Sequence, residues 1–405
     1  MTIGIGGSNA AAELQKLSDM TAGIQPIELN EYQQRLEKAQ ALMQAQGISA
    51  VYLNAGTNLR YFTGTRWSPS ERMVGALLPA KGELIYIAPH FELNTLRQFM
   101  QIEGAVVTWH EHECPYALCI NTLRDMGIEQ GTLAIDESTP FFISNGIDLQ
   151  SDALRLISAT PVTAGCRTRK SNAEIALMQR AKDMTLAVHK AAARILRVGI
   201  STAEVIEFID QAHRKVGAPQ GSYFCYVQFG KDTAFPHGVK DTKVLEENDV
   251  VLIDTGCQIQ GYISDITRTY IFGTPNARQR QMWDIEKEAQ KRAFEAAKIG
   301  QPCSVVDIAA RDYIASQGMG PDYQTPGCPH RTGHGIGLDI HEWPYLTKSN
   351  TTPLEAGMCF SNEPMLVIPN EFGIRLEDHF YMTSEGPRWF TQPSHSIDDP
   401  FGYNT

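Results

Sequence analysis

Around residue 160 the sequence changes its texture, and that change limits the fold more than any single motif does. From about 28 to 160, helix-like and strand-like runs alternate. "LNEYQQRLEKAQALMQAQG" carries apolar residues at Tyr32, Leu36, Ala39 and Leu42 ahead of a glycine stop, the period of an amphipathic helix. "ISAVYLN", "MVGALLPA", "LIYIAP", "AVVTW" and "TLAIDE" read as short apolar strands, with helical stretches at 91–100 and 115–126 between them. Strands joined by crossover helices give a compact α/β domain. Then "CRTRKSNAEIALMQRAKDMTLAVHKAAARIL" opens a long amphipathic helix on a capping box of Ser171 and Glu174. Further helical patterns at 202–216, 278–298 and 304–317 are separated by grouped strand-like runs, which is the α+β arrangement. The expected organisation is a smaller α/β domain over 1–160 and an α+β domain over 161–405; 405 residues are enough for two cores.

Bulk composition narrows the partners. There are 35 basic and 46 acidic residues, a net charge of -11, and no dense Lys/Arg block. That balance argues against nucleic acid or an anionic membrane surface. The eight cysteines at 114, 119, 166, 225, 257, 303, 328 and 359 form no C-x-x-C pair, and several sit in apolar runs. They read as buried, reduced thiols rather than a disulfide framework. "MTIGIGGSNAAAELQKL" lacks the basic start and apolar core of a signal peptide, and no run approaches the ~18–20 apolar residues that span a bilayer. A cytoplasmic protein is expected.

The chemistry concentrates in a few short stretches. "HRTGHGIGLDIHE", His330 to Glu342, holds three histidines but lacks the spacing of the helical H-E-x-x-H zinc site. Gly333, Gly335 and Gly337 make it a poor helix and a plausible strand or close-packed loop. If it is extended, His330 and His334 fall on one side and His341 on the other, unless a bend returns it. In "DVVLIDTGCQIQGYISDITRTYIFG", Val250 to Ile253 form a strand ending at Asp254, and a second strand from Tyr262 to Phe272 carries Asp265. Asp254 could serve merely to start a turn. Asp265, inside a β-branched run, has no such role, and an unpaired buried carboxylate is costly. Glu363 in "GMCFSNEPMLVIP" and Glu377 in "EFGIRLEDHFYM" lie in similar apolar settings, where either alone could be a solvated edge residue. Four such carboxylates beside a glycine-framed histidine share one economical explanation, a cation centre. Two divalent ions balance the four carboxylates, with His334 adding one neutral nitrogen. Such an oxygen-rich set favours Mn2+, with Co2+ or Zn2+ as alternatives, over a structural thiolate zinc site. Two ions roughly 3.5 to 4 Å apart can hold a bridging hydroxide and polarise an amide carbonyl, so hydrolysis is the natural chemistry.

Taken together, Asp254 and Asp265 eleven apart, "GHGIG" with His334, "NEP" with Glu363 and "IRLED" with Glu377 resemble, in order and type, the five metal ligands of the pita-bread metallopeptidases. That family includes prolidase (Xaa-Pro dipeptidase), aminopeptidase P and methionine aminopeptidase, with creatinase as a metal-free relative. The resemblance covers most of the chain and implies a creatinase/prolidase-like N-terminal α/β domain followed by a catalytic pita-bread domain. It also implies roles for other residues. His237, in "TAFPHGV", aligns with a histidine near the scissile bond. His341 aligns with one that contacts the substrate carbonyl and stabilises the tetrahedral intermediate, and His330 with a pocket histidine of the proline-specific branch. Glu363 would shuttle the proton for a metal-bridging hydroxide, and Arg375 would orient carboxylates or meet the substrate's carboxylate. The same likeness implies a homodimer.

Prolidase and aminopeptidase P commonly read E-P-G-x-Y where this chain reads "EPMLV", with Met365 for the glycine and Val367 for the tyrosine. The overall phrasing most resembles bacterial Xaa-Pro dipeptidases of about this length that share the missing tyrosine. The expected function is therefore hydrolysis of X-Pro dipeptides. The alternatives are aminopeptidase P activity on longer peptides, an ectoine hydrolase-like C–N hydrolase on the same scaffold, and a non-enzymatic binding module.

Overall fold

The computed structural model describes residues 2–404. Two compact units emerge, one formed by Ile27–Arg167 and the other by Met1–Pro26 together with Thr168–Thr405. The opening residues, expected in the N-terminal domain, thus fold with the C-terminal unit. Helix α1 (Ala10–Lys16) starts on the side chain of Asn9, and the turns and bends before it bond to later backbone, Gly6 N–H to Ala193 O at 2.8 Å and Thr2 N–H to Gly273 O at 2.8 Å.

In the N-terminal unit, α2 (Leu29–Gln46) ends at Gly47 in the left-handed region, as the glycine stop predicts. Six strands follow: β1 (Ala50–Asn54), β2 (Gly75–Pro79), β3 (Ile85–Pro89), β4 (Ala105–Trp109), β5 (Gly131–Ile135) and β6 (Leu154–Ser158). They form one sheet in the order β4-β3-β2-β1-β5-β6. The β1–β2 and β2–β3 pairs are antiparallel and the others parallel. Helices α3 (Thr57–Thr63), α4 (Leu93–Phe99), α5 (Pro115–Asp125), α6 (Phe141–Asp148) and α7 (Thr160–Arg167) complete the unit. The boundary expected at 160 falls at the start of α7, whose buried Val162 and Cys166 belong to this first core.

The C-terminal unit begins with α8 (Asn172–Arg194). Its capping box is formed as expected: Glu174 N–H donates to Ser171 Oγ at 3.2 Å, and Ser171 N–H to Glu174 Oε2 at 2.9 Å. Helix α9 (Thr202–Lys215) and strand β7 (Phe224–Phe229) lead to β8 (Val250–Gly256). The second aspartate-bearing strand is not continuous: a short hairpin of β9 (Gln258–Ile259) and β10 (Tyr262–Ile263) is followed, after a break at Ser264 and Asp265, by β11 (Ile266–Ile271). Strands β11, β8 and β7 make a three-stranded antiparallel sheet. Helices α10 (Ala277–Ala296) and α11 (Ser304–Ser316) precede β12 (Gly333–Gly335), β13 (Glu342–Leu346), β14 (Cys359–Asn362), β15 (Met365–Ile368), β16 (Phe372–Arg375), β17 (Asp378–Thr383) and β18 (Gly386–Trp389). Five of these form a sheet in the order β13-β12-β14-β17-β18, and β15–β16 is a separate hairpin. The grouping of helices and strands is α+β, as the sequence pattern implies.

A core of Trp283, Phe360, Leu366, Ile374 and Phe380 ties α10 to these strands. The buried indole of Trp283 donates to Thr269 O at 2.9 Å, so α10 is fixed against β11 by direction as well as by contact. All eight cysteines are free; six are buried, while Cys114 is exposed. Among the described residues no helix is long and apolar enough to cross a membrane.

One core position invites a test. Glu286 of α10 is fully buried and neither carboxylate oxygen has a hydrogen-bond partner. Burial pushes its carboxyl well above the usual range, against smaller opposing pulls from the Leu376 backbone and Arg375. A folded-state value raised above the unfolded one gives stability that is present below the unfolded pKa and lost as pH rises through the folded value. Glu286→Gln is therefore expected to melt about 2–4 °C above the wild type at pH 8, roughly 1 kcal/mol. The difference should shrink toward zero near pH 4. Paired melting curves across that range check it, and a gap that widens on acidification would contradict it.

Candidate active site

Three of the four singled-out carboxylates sit where strands stop. Asp265 lies in the break between β10 and β11, Glu363 between β14 and β15, and Glu377 between β16 and β17, while Asp254 is inside β8 opposite Tyr226 and Thr267. Local chemistry makes the breaks. Pro364 supplies no N–H to continue β14. At the Asp265 break, Lys182 Nζ donates to Ile263 O at 3.2 Å, and Ser264 Oγ accepts the Cys257 N–H at 2.9 Å. Gly256 permits the crossing, since a Cβ there would lie 1.8 Å from Ser264 O. The two sheets then meet along β11. Glu377 N–H donates to Thr267 O at 3.2 Å, and Arg268, in a buried pair with Asp378 at 2.7 Å, also donates to Glu377 O at 2.8 Å.

The stretch around His334 is a short strand with a bulge. The register of β12 against β13 shifts between His334 and Gly335, and this bend brings His341 back, its ring centroid 4.1 Å from that of His334. The glycines serve strand packing rather than approach to an ion. A Cβ on Gly333 would meet Ser361 O at 2.1 Å, and Gly335 and Gly337 press on Glu342. His334 Nδ1 lies 2.9 Å from Gly335 O, which leaves Nε2 facing Glu363 Oε1 at 3.0 Å and Asp265 Oδ2 at 3.7 Å.

Side chains converge accordingly. The ligating atoms of His334, Glu363 and Glu377 lie within 4.8 Å of one another, as do those of Asp265, His334 and His341, and those of Asp265, Glu377 and His379. Asp254 joins through Arg375, whose Nη2 is 2.5 Å from Asp254 Oδ2. Burial pushes the Asp254 carboxyl up despite Arg375, and pushes Asp265 and Glu377 far up, with the neighbouring carboxylates adding to the effect in each case. Burial is the largest single effect on Glu363 and opposes its ionisation, but the hydrogen bond and charge of His334, with His330 and Arg375, together hold it below the usual range. Three buried acids and the half-buried Glu363 beside one guanidinium are short of positive charge. Asp254 Oδ1 and Glu377 Oε1 moreover have no hydrogen-bond partner, and buried oxygens without a donor cost about 1–3 kcal/mol each. Both observations fit a site built for divalent cations.

The remaining expected residues border this cluster. His237 is exposed, its ring 6.1 Å from that of Tyr226, and the carbonyl before it, Pro236 O, accepts from Arg375 Nη1 at 3.1 Å. His330 is half-buried; burial lowers its imidazole, and its Nδ1 lies 2.7 Å from Arg331 O. Burial, then His334 and Arg331, lower His341 to about 4, so its imidazole is neutral near pH 7. Arg375 is only 3% exposed, and its guanidinium is engaged by Asp254, Thr267 and Pro236. That enclosure favours orienting Asp254 over meeting a substrate carboxylate. Val367, which stands where the resemblance implies a tyrosine, packs with Leu252 and Met365 and bonds through its backbone to Gly327.

Sequence reasoning missed His379. It sits two residues after Glu377, fully buried, with Nε2 3.4 Å from Glu377 Oε1. The two-residue period along a strand, which puts both side chains on one face, was the available signal.

Known proteins resemble this chain over most of its length. Residues 176–384 match metallopeptidase family M24, and residues 35–169 match the creatinase/prolidase N-terminal domain. An uncharacterized peptidase of Staphylococcus haemolyticus is 30% identical over 87% of this chain and 97% of its own length. The crystal structure of dipeptidase PepE from Mycobacterium ulcerans is similar with a TM-score of 0.85 and 31% identity, covering 92% of this chain and 99% of that one. A Xaa-Pro dipeptidase from Bacillus anthracis gives a TM-score of 0.80 at 28% identity, covering 90% and 99%.

Proposed function

The chain belongs to metallopeptidase family M24, with a creatinase/prolidase N-terminal domain ahead of the peptidase domain, and from that premise we propose that it is a dinuclear-metal Xaa-Pro dipeptidase. The observation that carries this reading is the buried cluster itself, four carboxylates and an imidazole with too little positive charge and with two orphaned oxygens, Asp254 Oδ1 and Glu377 Oε1. Asp254, Asp265, His334, Glu363 and Glu377 would hold the two ions, Mn2+ ahead of Co2+ or Zn2+ because the donors are mostly hard oxygens. Bound there, such ions supply Lewis acidity and make water acidic enough to serve as a nucleophile near neutral pH.

The protein's own groups do the remaining work. Glu363, held ionised by His334, accepts the proton of the attacking water and returns it to the leaving imino nitrogen. His341, neutral and at the open side of the cluster, donates to the scissile carbonyl oxygen as negative charge develops on it. His237 and His330 flank the substrate. Arg375 and Thr267 fix Asp254 and Glu377 in the orientation the ions need. A dipeptide substrate is supported by relatives named as dipeptidases, among them the Bacillus anthracis Xaa-Pro dipeptidase. We place the enzyme in the cytoplasm as a homodimer.

Aminopeptidase P activity is the second reading, since an X-Pro aminopeptidase from Thermotoga maritima is also similar, with a TM-score of 0.77 at 27% identity. Substrate length separates the two. With Mn2+ added, kcat/KM for Leu-Pro is expected to exceed that for Ala-Pro-Ala by about tenfold or more, a difference of ~1.4 kcal/mol. A preference for the tripeptide would sink the dipeptidase reading.

A further inference from the structure

We propose that His379 is a positioning residue for Glu377, a neutral imidazole that donates its Nε2–H to Glu377 Oε1, and not a sixth ligand to the ions. The inference rests on the metal-centre reading above. His379 is fully buried on β17 opposite Ser361, its backbone carbonyl accepts from Phe390 N–H at 2.9 Å, and its ring stands edge-on to that of His334 with centroids 6.4 Å apart. Neither of its ring nitrogens has a hydrogen-bond partner among the described residues, and neither does Glu377 Oε1, 3.4 Å from Nε2. A shortening of a few tenths of an ångström brings that pair to the ordinary N–H···O range of about 2.7–3.2 Å.

The choice of tautomer decides between the two roles. A neutral imidazole has one N–H and one bare nitrogen. If Nε2 were bare and bound an ion, the hydrogen would sit on Nδ1, where no acceptor is in reach, and a buried N–H without an acceptor is the costlier orphan. Metal-ligating histidines nearly always give that second N–H to a carbonyl or carboxylate. His334 fits this pattern, its Nδ1 directed to Gly335 O and its Nε2 left for an ion. His379 is the reverse case: with the hydrogen on Nε2 it has an acceptor in Glu377, and the bare Nδ1 is the cheaper one to leave unpaired. Glu377 would then be gripped on both oxygens, by His379 on Oε1 and by Thr267 Oγ1 on Oε2 at 2.7 Å. Each oxygen keeps a further lone pair for an ion.

Three measurements on the full-length protein test this. His379→Leu removes the donor and is expected to weaken Mn2+ binding, followed by calorimetry, by about 10–100-fold. His379→Gln offers an amide N–H to the same oxygen without an imidazole, and is expected to bind Mn2+ nearly as tightly as the wild type. X-ray absorption of the Co2+-loaded wild type is expected to count one imidazole per pair of ions, unchanged in His379→Gln. Two imidazoles in the wild type, one of them lost in the glutamine variant, would make His379 a ligand and overturn the proposal. So would wild-type affinity in the leucine variant. Should the leucine variant fail to fold, the glutamine variant and the imidazole count still decide. A wild type that binds no Mn2+ at all would refute the metal-centre reading, and this inference with it.

Discussion

An Asp265→Asn protein is expected to melt higher than the wild type when both are stripped of divalent ions, and yet to be inactive as a peptidase. Burial, with Glu377, Asp254 and Glu363 close by, pushes the Asp265 carboxyl far up, so its ionised form destabilises the ion-free fold. Asparagine keeps the shape and removes that charge. The same change takes a proposed anionic ligand from the metal centre, and a deficit of several kcal/mol in electrostatic stabilisation corresponds to a loss of about 1,000-fold or more in kcat/KM. The rise in melting temperature that Mn2+ gives the wild type should largely disappear. Melting curves with and without Mn2+, beside a Leu-Pro assay, check all three. An asparagine variant that melts lower without metal and keeps its Mn2+ response would mean that Asp265 is a structural acid.

Arg375→Met should have the opposite signature. Its guanidinium, 97% shielded from solvent, bonds to Asp254 at 2.5 Å, to Thr267 Oγ1 at 3.0 Å and to Pro236 O at 3.1 Å. Removing it leaves the Asp254 carboxylate buried and unpaired, which costs about 3–5 kcal/mol and lowers the melting point by roughly 10 °C. Added Mn2+ should recover part of that loss, because the ions bring the positive charge that the arginine supplied. Arg375→Lys should fall between, since an ammonium keeps the charge but cannot span the three acceptors. A methionine variant as stable as the wild type without metal would show that Arg375 does not balance the cluster.

Much of this cluster is legible in the sequence, and for definable reasons. Asp254, Asp265, Glu363 and Glu377 stand out because a carboxylate within an apolar, strand-forming run must be solvated, paired or bound. The capping box at Ser171 and the glycine after α2 are local signals that nothing distant overrides. What the pattern could not supply was continuity. A strand from Tyr262 to Phe272 looked unbroken because β-branched residues flank Asp265, whereas the break there is fixed by a bond from the distant Lys182 and by the packing of Ser264 against Cys257 and Gly256, which strand propensity does not signal. The bulge that returns His341 to His334 is likewise set by pairing with β13. Residues 2–26 join the C-terminal unit through backbone bonds to residues more than 180 positions away, such as Gly6 to Ala193, which no local pattern signals. His379 was overlooked because a lone histidine on an apolar strand is ordinarily a core residue, and only its unpartnered nitrogens beside Glu377 set it apart.

We propose that two divalent ions held by one five-residue cluster carry out X-Pro hydrolysis. The measurement that tests it most directly is titration of the chelated protein with Mn2+ while Leu-Pro cleavage and bound metal are followed together. Negligible activity is expected without metal, and activity that returns and saturates as the second ion per chain binds. Cleavage that survives exhaustive chelation, or a protein that takes up less than one ion per chain and never cleaves the dipeptide, would contradict it.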